Sequence, residues 1–141
     1  MVFQRKTSLP ELNNTKHQNM VTHLGIEFTG IGKDFLEATM PVDHRTIQPL
    51  GLLHGGANVA LAETLGSVAA SLTVDPEKQN VVGLEINANH IKSVRTGKVK
   101  GVAKPIHIGK STQVWEIKIF NDAAQLCCIS RLTMAILDKN E

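Results

Sequence analysis

The stretch from Gln48 to Val68 constrains the rest of the chain more than any other. It reads QPLGLLHGGANVALAETLGSV. A proline turn leads into a histidine and two glycines, and a run of small and apolar residues follows. Ala57, Ala60, Leu61, Thr64, Leu65 and Val68 recur at spacings of three and four with no proline among them, which predicts a helix from about Gly55 to Thr73. The clearly polar members of the run are Asn58, Glu63, Ser67 and Ser71. A helix so poor in charge is usually buried on most sides. Glu63 is then the anomaly, the one ionisable side chain between His54 and Asp75. A carboxylate among apolar neighbours has to be compensated or used.

Upstream, residues 1–6 read as a loose leader. Ser8, Pro10 and Glu11 form a helix-start signal with Ser8 as N-cap, and the short helix is expected to run to about Lys16. Met20 to His23 suggests one further turn. From Ile26 the pattern changes to period two, and the turn residues Gly30 to Asp34 divide it into a hairpin. Beyond the loop Asp75–Asn80 everything reads as strand: 81–92, 99–107, 112–120 and 125–137. On the first of these Leu84, Ile86 and Ala88 alternate with Glu85, Asn87 and Asn89. Pro105 argues for a bend or an edge position in the second. Cys127 and Cys128 are expected on opposite faces of the last. Short turns imply antiparallel neighbours. The expected fold class is α+β: one antiparallel sheet wrapped around one long central helix, in a single domain over residues 1–141. The helix covers one face of the sheet. The chain has no second long helix for the other face, so burial against another copy is expected.

Composition narrows the function classes. A chain of 141 residues, 42% hydrophobic and 20% charged, fits one soluble globular domain. A net charge of +2 from scattered basic residues gives no footprint for nucleic acid. No apolar run is long enough to span a bilayer, and the first residues lack the apolar core of a signal peptide. The adjacent cysteines resemble neither a structural disulfide nor a metal motif, and His17, His23, His44 and His107 stand at no metal spacing. No metal is expected. Free thiols point to a reducing, cytoplasmic setting. Ile108 to Thr112 ends like a phosphate-binding P-loop, but position 104 is lysine where the first glycine would stand, and a hairpin replaces the required helix. That excludes a nucleotide hydrolase.

Four groups of residues carry a resemblance. They are Leu53-His54-Gly55-Gly56 at the helix start, Ala62-Glu63-Thr64 one to two turns on, Val81-Val82-Gly83, and Asn87-Ala88-Asn89-His90 on the same strand. Together they resemble the hotdog-fold acyl-CoA thioesterases, and the likeness runs from about Leu9 to Leu137. It is nearest to the bacterial branch of small single-domain enzymes acting on aryl- and acyl-CoA esters. That branch includes the 1,4-dihydroxy-2-naphthoyl-CoA thioesterase of menaquinone synthesis and the proofreading thioesterase of enterobactin synthesis. The resemblance implies a dimer joining two sheets edge to edge, usually a homotetramer as a dimer of dimers, and active sites at the dimer interface. It also implies an acyl- or aryl-CoA substrate and no separate cofactor, CoA being part of the substrate. An acyl or aryl carrier-protein thioester is an alternative, because both donors share the phosphopantetheine arm.

Thioester hydrolysis needs a carbonyl polariser and a means of delivering water. Gly55 and Gly56 carry no side chain, so a carbonyl could approach the free N–H groups at the positive end of the helix dipole. The resemblance assigns the polarising donor to the Gly55 N–H. Glu63 lies eight residues on, about 12 Å along the axis. That is too far for both to touch one carbonyl in the same subunit. The spacing favours a site built from Gly55 of one subunit and Glu63 of another. Glu63 could act as nucleophile, giving a mixed anhydride, or as general base for water, and the residues do not choose between them. Ser67, four residues on and sharing its face, could hydrogen-bond the carboxylate or the water.

Gln48 could place water or the thioester, and His54 could donate to the thioester or hold the loop. His90 resembles a substrate-pocket residue of the family. Val82 and Gly83 could line the pantetheine tunnel. Backbone N–H groups of Gly109 to Ser111, with Lys110 and Lys92 or Arg95, would suit the CoA phosphates. Two other readings stay open. One is a hydratase or dehydratase on the same fold, which favours a histidine-centred site with a partner acid. The other is a non-catalytic acyl-CoA-binding oligomer. The identity of the acyl group is not legible.

Overall fold

A computed structural model describes residues 1–139. Two short helices, α1 (Leu9–Asn13) and α2 (Met20–His23), precede the hairpin β1 (Glu27–Ile31) and β2 (Leu36–Pro41). The long helix α3 (Gly55–Ser71) follows, and then β3 (Gln79–His90), β4 (Lys98–Ile108), β5 (Thr112–Phe120) and β6 (Leu126–Asp138). Both short helices open with capping boxes, Ser8 with Glu11 and Asn19 with Thr22. α1 stops at Asn13, earlier than the expected Lys16. There the Asn13 side chain accepts from Phe28 N at 2.8 Å and donates to Phe28 O at 2.9 Å, tying the helix end to β1. All strand pairs are antiparallel, in the order β1-β2-β4-β5-β6-β3. This is the expected α+β hotdog arrangement, a sheet wrapped around α3.

The face of α3 that meets the sheet carries Ala57, Asn58, Leu61, Ala62, Leu65, Gly66, Ala69 and Ala70. It is offset from the stripe expected from the sequence. Ala60, Thr64 and Val68 lie on the half-buried outer side with Glu63 and Ser67. The cause is close packing. A Cβ at Gly66 would collide with Leu132 Cδ2, and one at Gly101 would stand 2.5 Å from Leu65 Cδ1. Small residues win the sheet-facing positions, and the outer side keeps the groups the sheet cannot admit.

A buried polar chain anchors the far end of α3. Gln113 Nε2 donates to Thr73 Oγ1 at 2.6 Å, and Trp115 Nε1 donates to Gln113 Oε1 at 2.9 Å. Phe3 stacks on Trp115 with centroids 6.4 Å apart. The first residues are therefore not a loose leader: Val2 N donates to Lys33 O, and Gln4 N and Arg5 N donate to Leu72 O.

Several strand expectations change. β3 and β4 are joined by a short segment yet are not neighbours; β3 pairs with β6 at the sheet edge, and β4 lies between β2 and β5. The connection crosses the sheet past the start of α3, held by bonds from Ile91 N and Lys92 N to Cys127 O and from Leu53 N to Val94 O. Short length alone does not exclude such a crossing, because residues 91–97 reach roughly 23 Å when extended while three strand spacings are about 14 Å. Leu84 is exposed, at 61%, because a bulge between Gly83 and Glu85 breaks the alternation. Cys127 and Cys128 both join the core instead of facing opposite ways, since the β5–β6 register also slips there. Burial pushes both thiols above their ordinary pKa. Pro105 sits at a bulge, beyond the last residue of β4 that pairs with β2.

The sheet face turned away from α3 carries Glu37, Lys100, Glu116 and Lys118, with ion pairs Lys100–Glu37 at 4.0 Å and Lys118–Glu116 at 3.4 Å. An antiparallel sheet tolerates water on one face. Val102, Val114 and Phe120 share this face, half-buried. The outer edge of β3 is a further apolar surface, a long strand with one pairing partner and with Val82 and Leu84 exposed.

Candidate active site

The loop from Val42 to His54 sets the start of α3. Thr46 Oγ1 donates to Pro41 O at 2.8 Å, His54 N donates to Thr46 O at 2.8 Å, and Leu53 N donates to Val94 O at 2.7 Å. Arg45 braces the same loop. Its Nη2 lies 2.6 Å from Asp43 Oδ2 and its Nη1 donates to His23 O at 3.4 Å. The Arg45 hydrogen bonds hold the Asp43 carboxyl well below its usual range, at about 2.

His54 is the N-cap of α3, and its Nδ1 accepts from Gly56 N at 2.8 Å. Ala57 N and Asn58 N donate to His54 O. Within this first turn, Gly55 N–H alone has no acceptor among the described residues. The two glycines thus differ: Gly56 is spent on the cap, and Gly55 is open. Of the two roles open to His54, Nδ1 is occupied in holding the loop, and in the neutral ring the proton then sits on Nε2.

Gln48, Gly55, Asn58 and His90 line one cleft of about 330 Å³, walled by Leu53 and Val94. Gln48 Oε1 accepts from Leu50 N, which leaves its Nε2 as the free end. The His90 ring lies against Gly55, where an added Cβ would stand 2.8 Å from His90 Nε2. Asn58 is buried in this cleft with its Oδ1 unpartnered among the described residues. Sequence reasoning gave Asn58 no role. The available signal was a polar side chain at the sheet-facing phase of an apolar helix, one turn beyond Gly55.

Glu63 and Ser67 line a second cleft of about 470 Å³, between α3 and the segment of Met20, Val21, Leu24 and Ile26. The Glu63 carboxylate has no hydrogen bond or ion pair with any described residue. Its Oε1 rests on Gly83 of β3, where an added Cβ would stand 3.0 Å away. The Ser67 hydroxyl is also free among the described residues, whereas Thr64 and Ser71 bond back to Ala60 O and Val68 O, each at 2.7 Å. Glu63 and Ser67 thus come together, and so do Gln48, Gly55 and His90. The structure does not bring the two groups into one cleft of one chain. Each group touches β3, through Gly83 and His90 respectively, and Val82 lies exposed on the same strand.

Lys110 and Ser111 line a third cleft of about 620 Å³ with Asn80, Asp138 and Lys139. Gly109 is a turn residue, and its N–H donates to Thr112 O at 2.9 Å, so that amide is not open to a phosphate as expected. Lys92 borders the Gln48 cleft instead. Among the described residues no three His, Cys, Asp or Glu side chains gather to hold a metal ion, and no helix is long and apolar enough to cross a membrane.

The thioesterase superfamily profile matches residues 50–128, a span that holds α3, β3 and both clefts' polar groups except Gln48. The chain belongs to the thioesterase superfamily. It is 59% identical over 137 residues to the 1,4-dihydroxy-2-naphthoyl-CoA hydrolase of Escherichia coli strain K12, covering 97% of this chain and 100% of that protein. It is 53% identical over 137 residues to the proofreading thioesterase EntH of Cronobacter turicensis, covering 97% and 99%. A crystal structure of a thioesterase from Haemophilus influenzae superposes with a TM-score of 0.95 at 50% identity, covering 100% of this chain and 98% of that one. A mutant thioesterase from Pseudomonas aeruginosa does so with a TM-score of 0.95 at 45% identity, covering 98% and 99%. The chain is an enzyme, a thioesterase of hotdog fold, and the hydratase and non-catalytic alternatives lose their ground.

Proposed function

We propose that this thioesterase hydrolyses an acyl- or aryl-CoA thioester to the free acid and CoA, at sites shared between two copies of the chain. The observation that carries the reading is the meeting of two incomplete clefts on one edge strand, β3. One cleft offers donors without a carboxylate, and the other a carboxylate and a hydroxyl without an open amide. Antiparallel pairing of β3 with β3 of a second copy, centred near Ile86 and Asn87, would set the His90 end of one strand beside the Gly83 end of the other. Gly55 would then face Glu63 of the partner subunit.

In such a site the Gly55 N–H and the helix dipole polarise the thioester carbonyl. A donor of that kind is worth roughly 2.7–4 kcal/mol. Gln48 Nε2 orients the thioester or the water, and His54 keeps the helix start in shape. Glu63 either attacks the carbonyl carbon, giving a mixed anhydride that water then opens, or takes a proton from water as it attacks. In both routes the acyl C–S bond breaks, a C–O bond forms, and the thiolate leaves and takes up a proton. Ser67 holds the Glu63 carboxylate or the water. The apolar walls from Met20 to Ile26 and Val68 receive the acyl group, Val82 and Gly83 border the pantetheine arm, and Lys110 with Ser111 meets the CoA phosphates. Two dimers associating as a tetramer, in a reducing cytoplasm, complete the reading.

The 59% likeness to a hydrolase of a naphthoyl-CoA supports an aromatic acyl group and a place in menaquinone synthesis. A carrier-protein thioester is a second reading, because it presents the same phosphopantetheine arm. Thiol release from a panel of acyl- and aryl-CoAs tests the chemistry. Glu63→Ala is expected to lower turnover by about 100-fold or more. Undiminished turnover would remove Glu63 from the mechanism.

A further inference from the structure

A small hairpin stands at the start of α3. Thr46 O accepts from His54 N at 2.8 Å, Ile47 bridges Leu53, and Gln48 N donates to Leu52 O at 2.8 Å. Gly51 N donates to Gln48 O at 2.9 Å and closes a β-turn with Pro49 in its second place, the position that proline pre-sets. Leu50 follows at the tip, 76% exposed. The tip stands clear of the chain, since a Cβ added at Gly51 would meet nothing within 4 Å. The turn uses the Leu50 N–H, which Gln48 Oε1 accepts, and makes no use of its side chain. A lone exposed leucine is ordinary. This one is matched by Met20, 65% exposed at the mouth of the cleft that holds Glu63 and Ser67.

The shared site brings the two together. It sets Gly55 of one chain against Glu63 of the partner subunit, and two-fold symmetry repeats the pairing in reverse. The two α3 helices then run antiparallel across the interface. One turn beyond Glu63, about 6 Å along the axis, Ser67 and Val68 form the outer half of the acyl cleft with Met20. The same distance back from the partner's Gly55 leads out of its helix and into its hairpin.

We infer that Leu50 of the partner subunit closes the acyl cleft at Met20 and Val68, and is a specificity-determining residue supplied in trans. The inference rests on the shared-site reading. The acyl group it selects is an apolar ring or chain long enough to reach past Ser67. The rigid turn presents the leucine with little ordering cost.

The test measures thiol release from benzoyl-CoA and hexanoyl-CoA by Leu50→Ala and Leu50→Met. Both keep the N–H that holds Gln48. The alanine variant should raise KM roughly fivefold to tenfold on both substrates with kcat little changed, and the methionine variant should stay near native. Tm should equal the native value in both. Native KM in the alanine variant would overturn the inference, and so would a fall in kcat at unchanged KM. A mixed dimer then assigns the subunit. With Glu63→Gln in one chain and Gln48→Ala in the other, the surviving site takes its hairpin from the first chain and Glu63 from the second. Leu50→Ala should raise KM when added to the first chain and do nothing in the second. The reverse pattern, or an equal effect in both, would overturn supply in trans. A mixed dimer that is inactive before Leu50 is touched would overturn the shared-site reading itself, and the inference with it.

Discussion

Gly83 of β3 lies against the Glu63 carboxylate of α3, so close that a Cβ added at position 83 would stand 3.0 Å from Glu63 Oε1. The contact joins the helix to β3, one of the two edge strands of the sheet. It gives Glu63 a floor without giving it a hydrogen-bond partner among the described residues.

Gly83→Ala is expected to push the carboxylate by a few tenths of an ångström and little else, because the neighbour is the end of a flexible side chain. Misplaced reacting groups are costly, and kcat should fall about tenfold while Tm holds. Parallel assays of thiol release and thermal unfolding check this. Native kcat in the variant would show that the contact does not set the geometry.

The polar chain under α3 makes a stability prediction. Gln113→Leu leaves the buried Trp115 N–H without its acceptor and removes the donor to Thr73 Oγ1, which keeps its own bond to Ala70 O. The folded state should lose roughly 1–3 kcal/mol. The midpoint of urea unfolding reads this directly, and a midpoint equal to the native one would mean that the chain relaxes to satisfy the Trp115 N–H.

Acid should loosen the loop that leads to Gln48. Arg45 hydrogen bonds lower the Asp43 pKa from 3.8 to about 2. A carboxyl depressed in the folded state stabilises it above the unfolded pKa, and that contribution fades as pH falls through the folded value. The window is therefore about pH 4 down to about pH 2. Across it the native Tm should fall more steeply than that of Asp43→Asn, which starts lower and lacks this titration. Equal slopes would mean that the Asp43–Arg45 pair does not couple to folding.

The long helix, the hairpin and the later strands were legible because period and turn residues are local signals. Glu63 was legible as a lone charge in an apolar run. The strand order was not, because the crossing from β3 to β4 is decided by long-range bonds to Cys127 O and Val94 O. The docking of Phe3 on Trp115 depends on a surface that exists only after folding. Gly55 and Gly56 looked alike in sequence, and only the His54 cap separates the spent amide from the open one. Asn58 went unassigned because the sheet-facing phase of α3 is offset from its apolar stripe by close packing at Gly66.

The central claim is that one active site takes Gly55 and Gln48 from one chain and Glu63 from another. Co-expression of Gln48→Ala and Glu63→Gln chains under two affinity tags isolates the mixed dimer and tests this most directly. Each variant alone carries a defect in every site. In the mixed dimer one site collects both defects and the other collects none, so about half the native activity should return. A mixed dimer as inactive as its parents would contradict a shared site and place the whole machinery within a single chain.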